Sequence, residues 1–103
     1  MDMIEKFKKF IDEKIYNQLC YYKTSNYKDH GYKGVRFYLT AYAEDYEYCK
    51  HQICHFISSW DACIYVNMNP DEHDFVVEIR DAYMYVNMNP DELDFVVEIK
   101  EVL

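Results

Sequence analysis

Six residues of the types that ligate metals or act as nucleophiles crowd the middle of this 103-residue chain: Cys49, His51, Cys54, His55, Cys63 and His73. Zinc needs four such ligands converging tetrahedrally, and a C-x-x-C pair is the usual sign of them. This chain has no C-x-x-C. His51 and His55 have the i, i+4 spacing of two ligands on one helix face, but no second pair accompanies them. On the same helix Cys49 falls on the apolar side, away from both. The segment reads as a polar helix face that also carries Glu44 and Glu47, and a metal-binding domain ranks third among the functional readings. His73 has an internal control, because Leu93 takes its place in an otherwise identical segment.

Other chemistry fares no better. Asn67-x-Asn69-x-Asp71 followed by Glu78 echoes a calcium loop, but Glu72 stands where the loop needs glycine, Pro70 interrupts it, and the flanks read as strands. Neither glycine, Gly31 or Gly34, belongs to a phosphate-binding motif. Carboxylates, cysteines and histidines are present, but no spacing assembles them into a catalytic pair or triad. The expectation is a non-enzymatic protein without a cofactor.

The chain's most specific feature is a repeat. Tyr65 to Ile79 reads YVNMNPDEHDFVVEI and Tyr85 to Ile99 reads YVNMNPDELDFVVEI, an offset of 20 residues. In each copy two runs rich in Val, Ile, Phe, Tyr and Met flank Asn-Pro-Asp-Glu, the pattern of a β-hairpin closed by a polar turn. Alternation assigns Ile64, Val66, Met68, Phe75, Val77 and Ile79 to a core face, repeated by Met84, Val86, Met88, Phe95, Val97 and Ile99. The opposite face receives Tyr65, Asn67, Val76, Glu78 and Arg80, and their equivalents Tyr85, Asn87, Val96, Glu98 and Lys100. It is too apolar for a purely solvated surface.

The elements that position the hairpins lie upstream. Asp2 and Glu5 have capping-box spacing, and Ile4, Phe7, Ile11, Ile15, Leu19 and Tyr22 form one apolar stripe, which predicts a helix from about residue 3 to 21. Residues 23 to 34 hold both glycines, lack a period and read as a loop. Val35, Phe37, Leu39 and Ala41 alternate with Arg36, Tyr38, Thr40 and Tyr42 as in a strand. A second helix is expected from about Ala43, with Tyr46, Cys49, Ile53, Phe56, Ile57 and Trp60 on one face. The sum is an α+β fold: two amphipathic helices packed on one face of a mainly antiparallel sheet of four or five strands, in the order α-β-α-β-β-β-β. One domain is expected over residues 1–103, made of a helical half (1–59) and a half of duplicated hairpins (60–103).

Charge divides along the same line. Eleven Lys and Arg face nineteen Asp and Glu, a formal net of −8. Residues 1–59 carry +1 of this and residues 60–103 carry −9. An acidic chain is a poor partner for phosphate, so direct nucleic-acid binding is disfavoured. If the four hairpin strands form a meander, the two Asn-Pro-Asp-Glu turns share one end of the sheet about 10 Å apart. Asp71, Glu72, Asp74, Asp91, Glu92 and Asp94 would then make an acidic rim. Carboxylates held together repel one another, a cost that a basic partner relieves. Twelve tyrosines supply contact area at low entropic cost.

These residues point to an acidic protein-binding module. Its partner would be a basic protein, itself a binder of nucleic acid, and the module would inhibit it by occupying the basic groove. Asp71, Glu72, Asp74, Asp91, Glu92 and Asp94 would carry the charge, Tyr65 and Tyr85 would anchor, and Glu78 and Glu98 would flank them. In composition the chain resembles the small acidic inhibitors that phages deploy against host nucleases, anti-CRISPR proteins among them, and that likeness implies a cytoplasmic site of action. The alternative is a self-associating module in which Val76, Val96, Tyr65 and Tyr85 form a two-fold interface, a homodimer. No apolar run has the length of a signal h-region or a membrane span, which again points to the cytoplasm. In that compartment Cys20, Cys49, Cys54 and Cys63 are expected as reduced, packed thiols.

Overall fold

The computed structural model describes residues 2–28, 30–59, 64–69, 74–79 and 81–103. Its first helix, α1 (Met3–Phe10), opens as the capping box requires, with the Asp2 carboxylate accepting from the Glu5 amide at 2.8 Å. Two more contacts tie this terminus to the sheet. Lys33 Nζ lies 3.2 Å from Asp2 Oδ2, and the Ile4 amide, an orphan donor of the first turn, donates to Glu101 Oε1 at 3.1 Å. Met3, Ile4 and Phe7 are buried on the inward stripe.

The expected helix to residue 21 stops early. After α1 the coil widens into a π turn (Ile11–Ile15), tightens into a 3₁₀ turn (Tyr16–Gln18), and becomes strand β1 (Leu19–Tyr27). Ile11 and Ile15 stay on the buried stripe. Leu19 and Tyr22 extend its spacing by coincidence, since both pack on the same core from a strand. The run LCYYKTSNY carries three tyrosines and the β-branched Thr24, residue types that favour strand over helix.

The expected loop at 23–34 is likewise corrected. Most of it is β1 and the start of β2 (Tyr32–Ala41), an antiparallel hairpin that turns at Gly31, whose φ of 84° suits glycine. β1 is an edge strand, and its polar residues hide the alternation that would have revealed it. Helix α2 (Tyr46–Ser58) follows a 3₁₀ turn (Ala43–Asp45) and buries Tyr46, Cys49, Ile53, Phe56 and Ile57, with His51 and His55 exposed on the far side. Trp60 lies outside the described residues.

The duplicated hairpins are β3 (Ile64–Asn69) with β4 (Asp74–Ile79), and β5 (Ala82–Asn89) with β6 (Asp94–Val102). All six strands form one antiparallel sheet in the order β1-β2-β6-β5-β4-β3. The α+β class and the helices on one sheet face stand as expected. The sheet gains the extra strand β1, and the element order becomes α-β-β-α-β-β-β-β.

Both helices cover the face formed by Val35, Phe37 and Leu39 of β2, Phe95, Val97 and Ile99 of β6, Met84, Val86 and Met88 of β5, and Val77 of β4. Aromatic edges lock the layers: Phe7 meets Phe37 at 5.0 Å and Phe56 at 5.3 Å, and Tyr46 stacks on Phe95 at 4.8 Å. The core-face assignment holds for Met84, Val86, Met88, Phe95, Val97, Ile99 and Val77, while Ile79 is only partly buried. The side chains of 64–69, 74 and 75 are outside the described set.

Pairing is regular across the four inner strands and shifts at both edges. β1 slips against β2 between Leu19 and Tyr21, and β3 slips against β4 between Tyr65 and Asn67. A bulge on each outermost strand twists its free hydrogen-bonding edge, a common defence against edge-to-edge association.

Candidate functional site

The meander places Asn69 at the end of β3 and Asp74 at the start of β4 at the same end of the sheet as the β5–β6 turn. Asn89 organises the described turn, its Oδ1 accepting from the amides of Asp91 (3.1 Å) and Glu92 (3.4 Å). This Asx geometry leaves both acidic side chains exposed. Leu93 closes the loop at φ 58°, and its carbonyl accepts from the Ala41 amide at 2.9 Å. Asp94 pairs across the sheet with Thr40 on one side and Asn89 on the other.

That bond between Leu93 and Ala41 brings in a segment that the sequence reading kept apart. The chain leaves β2 at Ala41 and enters α2 through Glu44, Asp45 and Glu47, so three more carboxylates sit at the same end. The Tyr46 hydroxyl registers both groups. Burial pushes it up to about 12, and the charges of Glu47 and Asp94 add to the effect.

Exposed tyrosines gather here too. Tyr42 follows β2, Tyr48 stands in the first turn of α2, Tyr16 precedes β1, and Tyr21 pairs with Thr40, itself beside Asp94. Each is 46–55% exposed, an unusual outlay of aromatic surface for solvent.

Of the expected rim, Asp91, Glu92 and Asp94 come together at this end. Asp74 is placed by its backbone at the start of β4, opposite Asn87, and Tyr65 by its backbone on edge strand β3. Asp71 and Glu72 lie outside the described residues. Tyr85, Glu78 and Glu98 sit on the sheet face away from the helices, toward the middle of their strands.

Glu98 is committed within the chain. Its Oε2 accepts from Arg36 Nε (2.8 Å) and Nη2 (2.6 Å), and Lys100 Nζ lies 3.6 Å from Oε1. The Tyr27 ring lies over Gly34, where a Cβ would come within 2.6 Å of it, and the Arg36 and Lys100 cations approach that ring at 6.0 and 5.6 Å. Burial would raise the Glu98 carboxyl, but hydrogen bonds from Arg36 and Tyr27 and the charges of Arg36 and Lys100 outweigh it and hold it below the usual range. Its copy Glu78 is exposed on the same face.

No local pattern in the sequence marks Glu44, Asp45, Glu47, Tyr16, Tyr21, Tyr42 and Tyr48 as members of one surface. The dense acids of Glu44-Asp45-Tyr46-Glu47 were visible, and only strand order could bring them to the turn.

Among the described residues, no group of three or more His, Cys, Asp or Glu side chains is arranged to hold a metal ion. No described helix is long and apolar enough to cross a membrane. No protein-family model matches the chain, and neither a curated protein nor a solved structure is significantly similar to it.

Proposed function

We propose that this chain is a non-enzymatic acidic binding module, an inhibitor that occupies the basic nucleic-acid-binding groove of a target protein by charge mimicry. One observation carries the reading: Asp91, Glu92 and Asp94 share an end of the molecule with Glu44, Asp45 and Glu47 and with exposed Tyr16, Tyr21, Tyr42 and Tyr48. Carboxylates there take the place of phosphates, and the tyrosines supply the packed contact that charge alone lacks. Function of this kind needs only access to the target, as in the cytoplasm of a phage-infected cell. The reading extends to inhibitors of the anti-CRISPR kind.

The test uses an arginine-rich peptide as a probe of the groove's chemistry, titrated at 50 mM and 300 mM salt. Affinity should fall steeply with salt, and the Asp91→Asn/Glu92→Gln variant should bind roughly tenfold more weakly at low salt. Capture of a nucleic-acid-binding protein that DNA or RNA displaces would identify the target class. Equal affinity at both salts, or no loss in the variant, overturns the proposal.

The face that the helices leave uncovered favours a second reading. Val76, Val96 and Tyr85 are half-buried there beside the internally paired Arg36–Glu98–Lys100 cluster, a surface suited to a second copy of the chain. Light scattering separates the two: a dimer that persists at high salt supports self-association through this face, and a monomer excludes it.

A further inference from the structure

The 3₁₀ turn after α1 and the start of β1 border a cleft of about 310 Å³ lined by Tyr16, Leu19, Tyr21 and Tyr22. Tyr16 and Tyr22 meet edge to face at 5.5 Å, which sets two ring planes nearly at right angles. The Tyr22 hydroxyl donates to Asp12 Oδ1 at 3.1 Å, so a carboxylate stands at the aromatic wall. Asp12 is exposed and forms no salt bridge among the described residues. Aromatic rings in two orientations beside a carboxylate are the chemistry of a cation cage: ring faces attract positive charge and the carboxylate fixes it.

We propose that this cleft binds the guanidinium of an arginine side chain. Its planar group stacks on one tyrosine while its N–H fork reaches the Asp12 carboxylate and the phenolic oxygens, a match that a point-like ammonium makes less well. The raised Tyr22 phenol, desolvated and beside Asp12, keeps its proton and so keeps donating to that carboxylate. Tyr21 pairs with Thr40, and Thr40 with Asp94, so the cleft lies about two strand spacings, roughly 10 Å, from the acidic turn. The site deepens the proposed function and rests on it only for the source of the arginine, the basic groove of the target.

Nα-acetyl-arginine amide is the probe, titrated into the full chain carrying ring-labelled tyrosine and followed by NMR. Ring signals of Tyr16, Tyr21 and Tyr22 should shift and saturate in the millimolar range, and those of Tyr48 should not. Acetyl-citrulline amide, a neutral isostere, should leave all of them in place. Asp12→Asn should weaken binding roughly three- to tenfold, and Tyr16→Ala roughly two- to fivefold, with circular dichroism confirming the fold. Should Tyr16→Ala unfold, exposed Asp12 still provides the test. Equal shifts with citrulline, absence of shifts, or unchanged affinity in Asp12→Asn overturns the cleft. The Asp91→Asn/Glu92→Gln variant separates the two proposals. If it binds the arginine-rich peptide as well as the parent while the amide still shifts the three tyrosines, the cleft stands and the acidic turn falls. If the amide shifts nothing and the variant loses peptide affinity, the reverse holds.

Discussion

The two copies of the repeat are nearly one sequence in two places. Residues 61–80 and 81–100 differ at four positions, Cys63/Tyr83, Ile64/Met84, His73/Leu93 and Arg80/Lys100. The second copy lies inside the sheet, with β6 between β2 and β5 and its hairpin in unbroken register from Tyr83–Lys100 to Asn89–Asp94. The first lies outermost, and its pairing slips between Tyr65 and Asn67, which sets Tyr65 opposite Val77 where Tyr85 stands opposite Glu98. Two of the four differences, Cys63/Tyr83 and Ile64/Met84, adjoin the slip, and the other contrast between the copies is their neighbours. A strand fixed on both sides cannot shift without exposing core residues, and an edge strand can.

If position rather than sequence decides, either copy should serve as the inner hairpin. Excising 61–80 keeps the Trp60-Asp-Ala junction, and excising 81–100 yields almost the same chain with His73 at Leu93's place. Both shortened proteins should show a cooperative thermal transition and a four-stranded sheet, because among the described residues the first copy contributes just Val77 and partly buried Ile79 to the core. A collapse of the variant lacking 81–100 beside a folded variant lacking 61–80 would show that the four differences matter more than place.

Point substitutions sharpen the same contrast at smaller cost. Ile99 is fully buried and Ile79 partly so, although the surrounding residues are copies. Ile99→Ala should destabilise by about 3 kcal/mol and Ile79→Ala by about half as much, read from urea midpoints. Equal losses would mean that the edge hairpin packs as tightly as the inner one.

Glu98 and Glu78 extend the comparison to the open face. A carboxyl held below its unfolded value contributes stability that is present above the unfolded carboxylate range and lost as pH falls through the folded one. Glu98 is such a group, by way of Arg36 and Lys100. Glu98→Gln should therefore lower stability at pH 7 and flatten its decline between about pH 5 and 3. The neutral-pH loss should be about 1 kcal/mol, since the Arg36 side chain is 44% exposed and the pair is screened. Glu78→Gln, at an exposed site on β4, should change stability by less than about 0.5 kcal/mol. An unchanged pH profile in Glu98→Gln would remove the ion pair from the account.

Much of this was legible from residue order. The duplicated hairpins, the core face of the second, strand β2 and helix α2 follow from periodicities long enough to be unambiguous, whereas the slip that sets Ile64 opposite Glu78 and Tyr65 opposite Val77 breaks the expected alternation in the first. β1 was hidden because an edge strand needs few apolar residues, and because Leu19 and Tyr22 continue a helical spacing while packing on the core from a strand. The acidic turns were visible as charge. Their company was not, since Glu44, Asp45, Glu47, Tyr16 and Tyr21 reach that end through the pairing of β1 with β2 and of β2 with β6. Such pairings join residues far apart in the chain, and no local pattern encodes them.

The smallest expected effect concerns the position that separates the copies inside their turns. Leu93 is the non-glycine residue at positive φ among the described residues, and a branched side chain there costs about 1 kcal/mol relative to glycine. Leu93 also packs against the core with partial burial, which offsets that strain. Leu93→Gly removes both terms, so stability should change by less than about 1 kcal/mol. Leu93→His keeps the strain and gives up most of the packing, and it should be the worse of the two by thermal midpoint. It also reproduces in the inner hairpin the turn sequence of the edge one. If Leu93→His costs nothing, the leucine is a drifted copy of the histidine. If it costs more than Leu93→Gly, the inner place has selected a residue that the edge does not need.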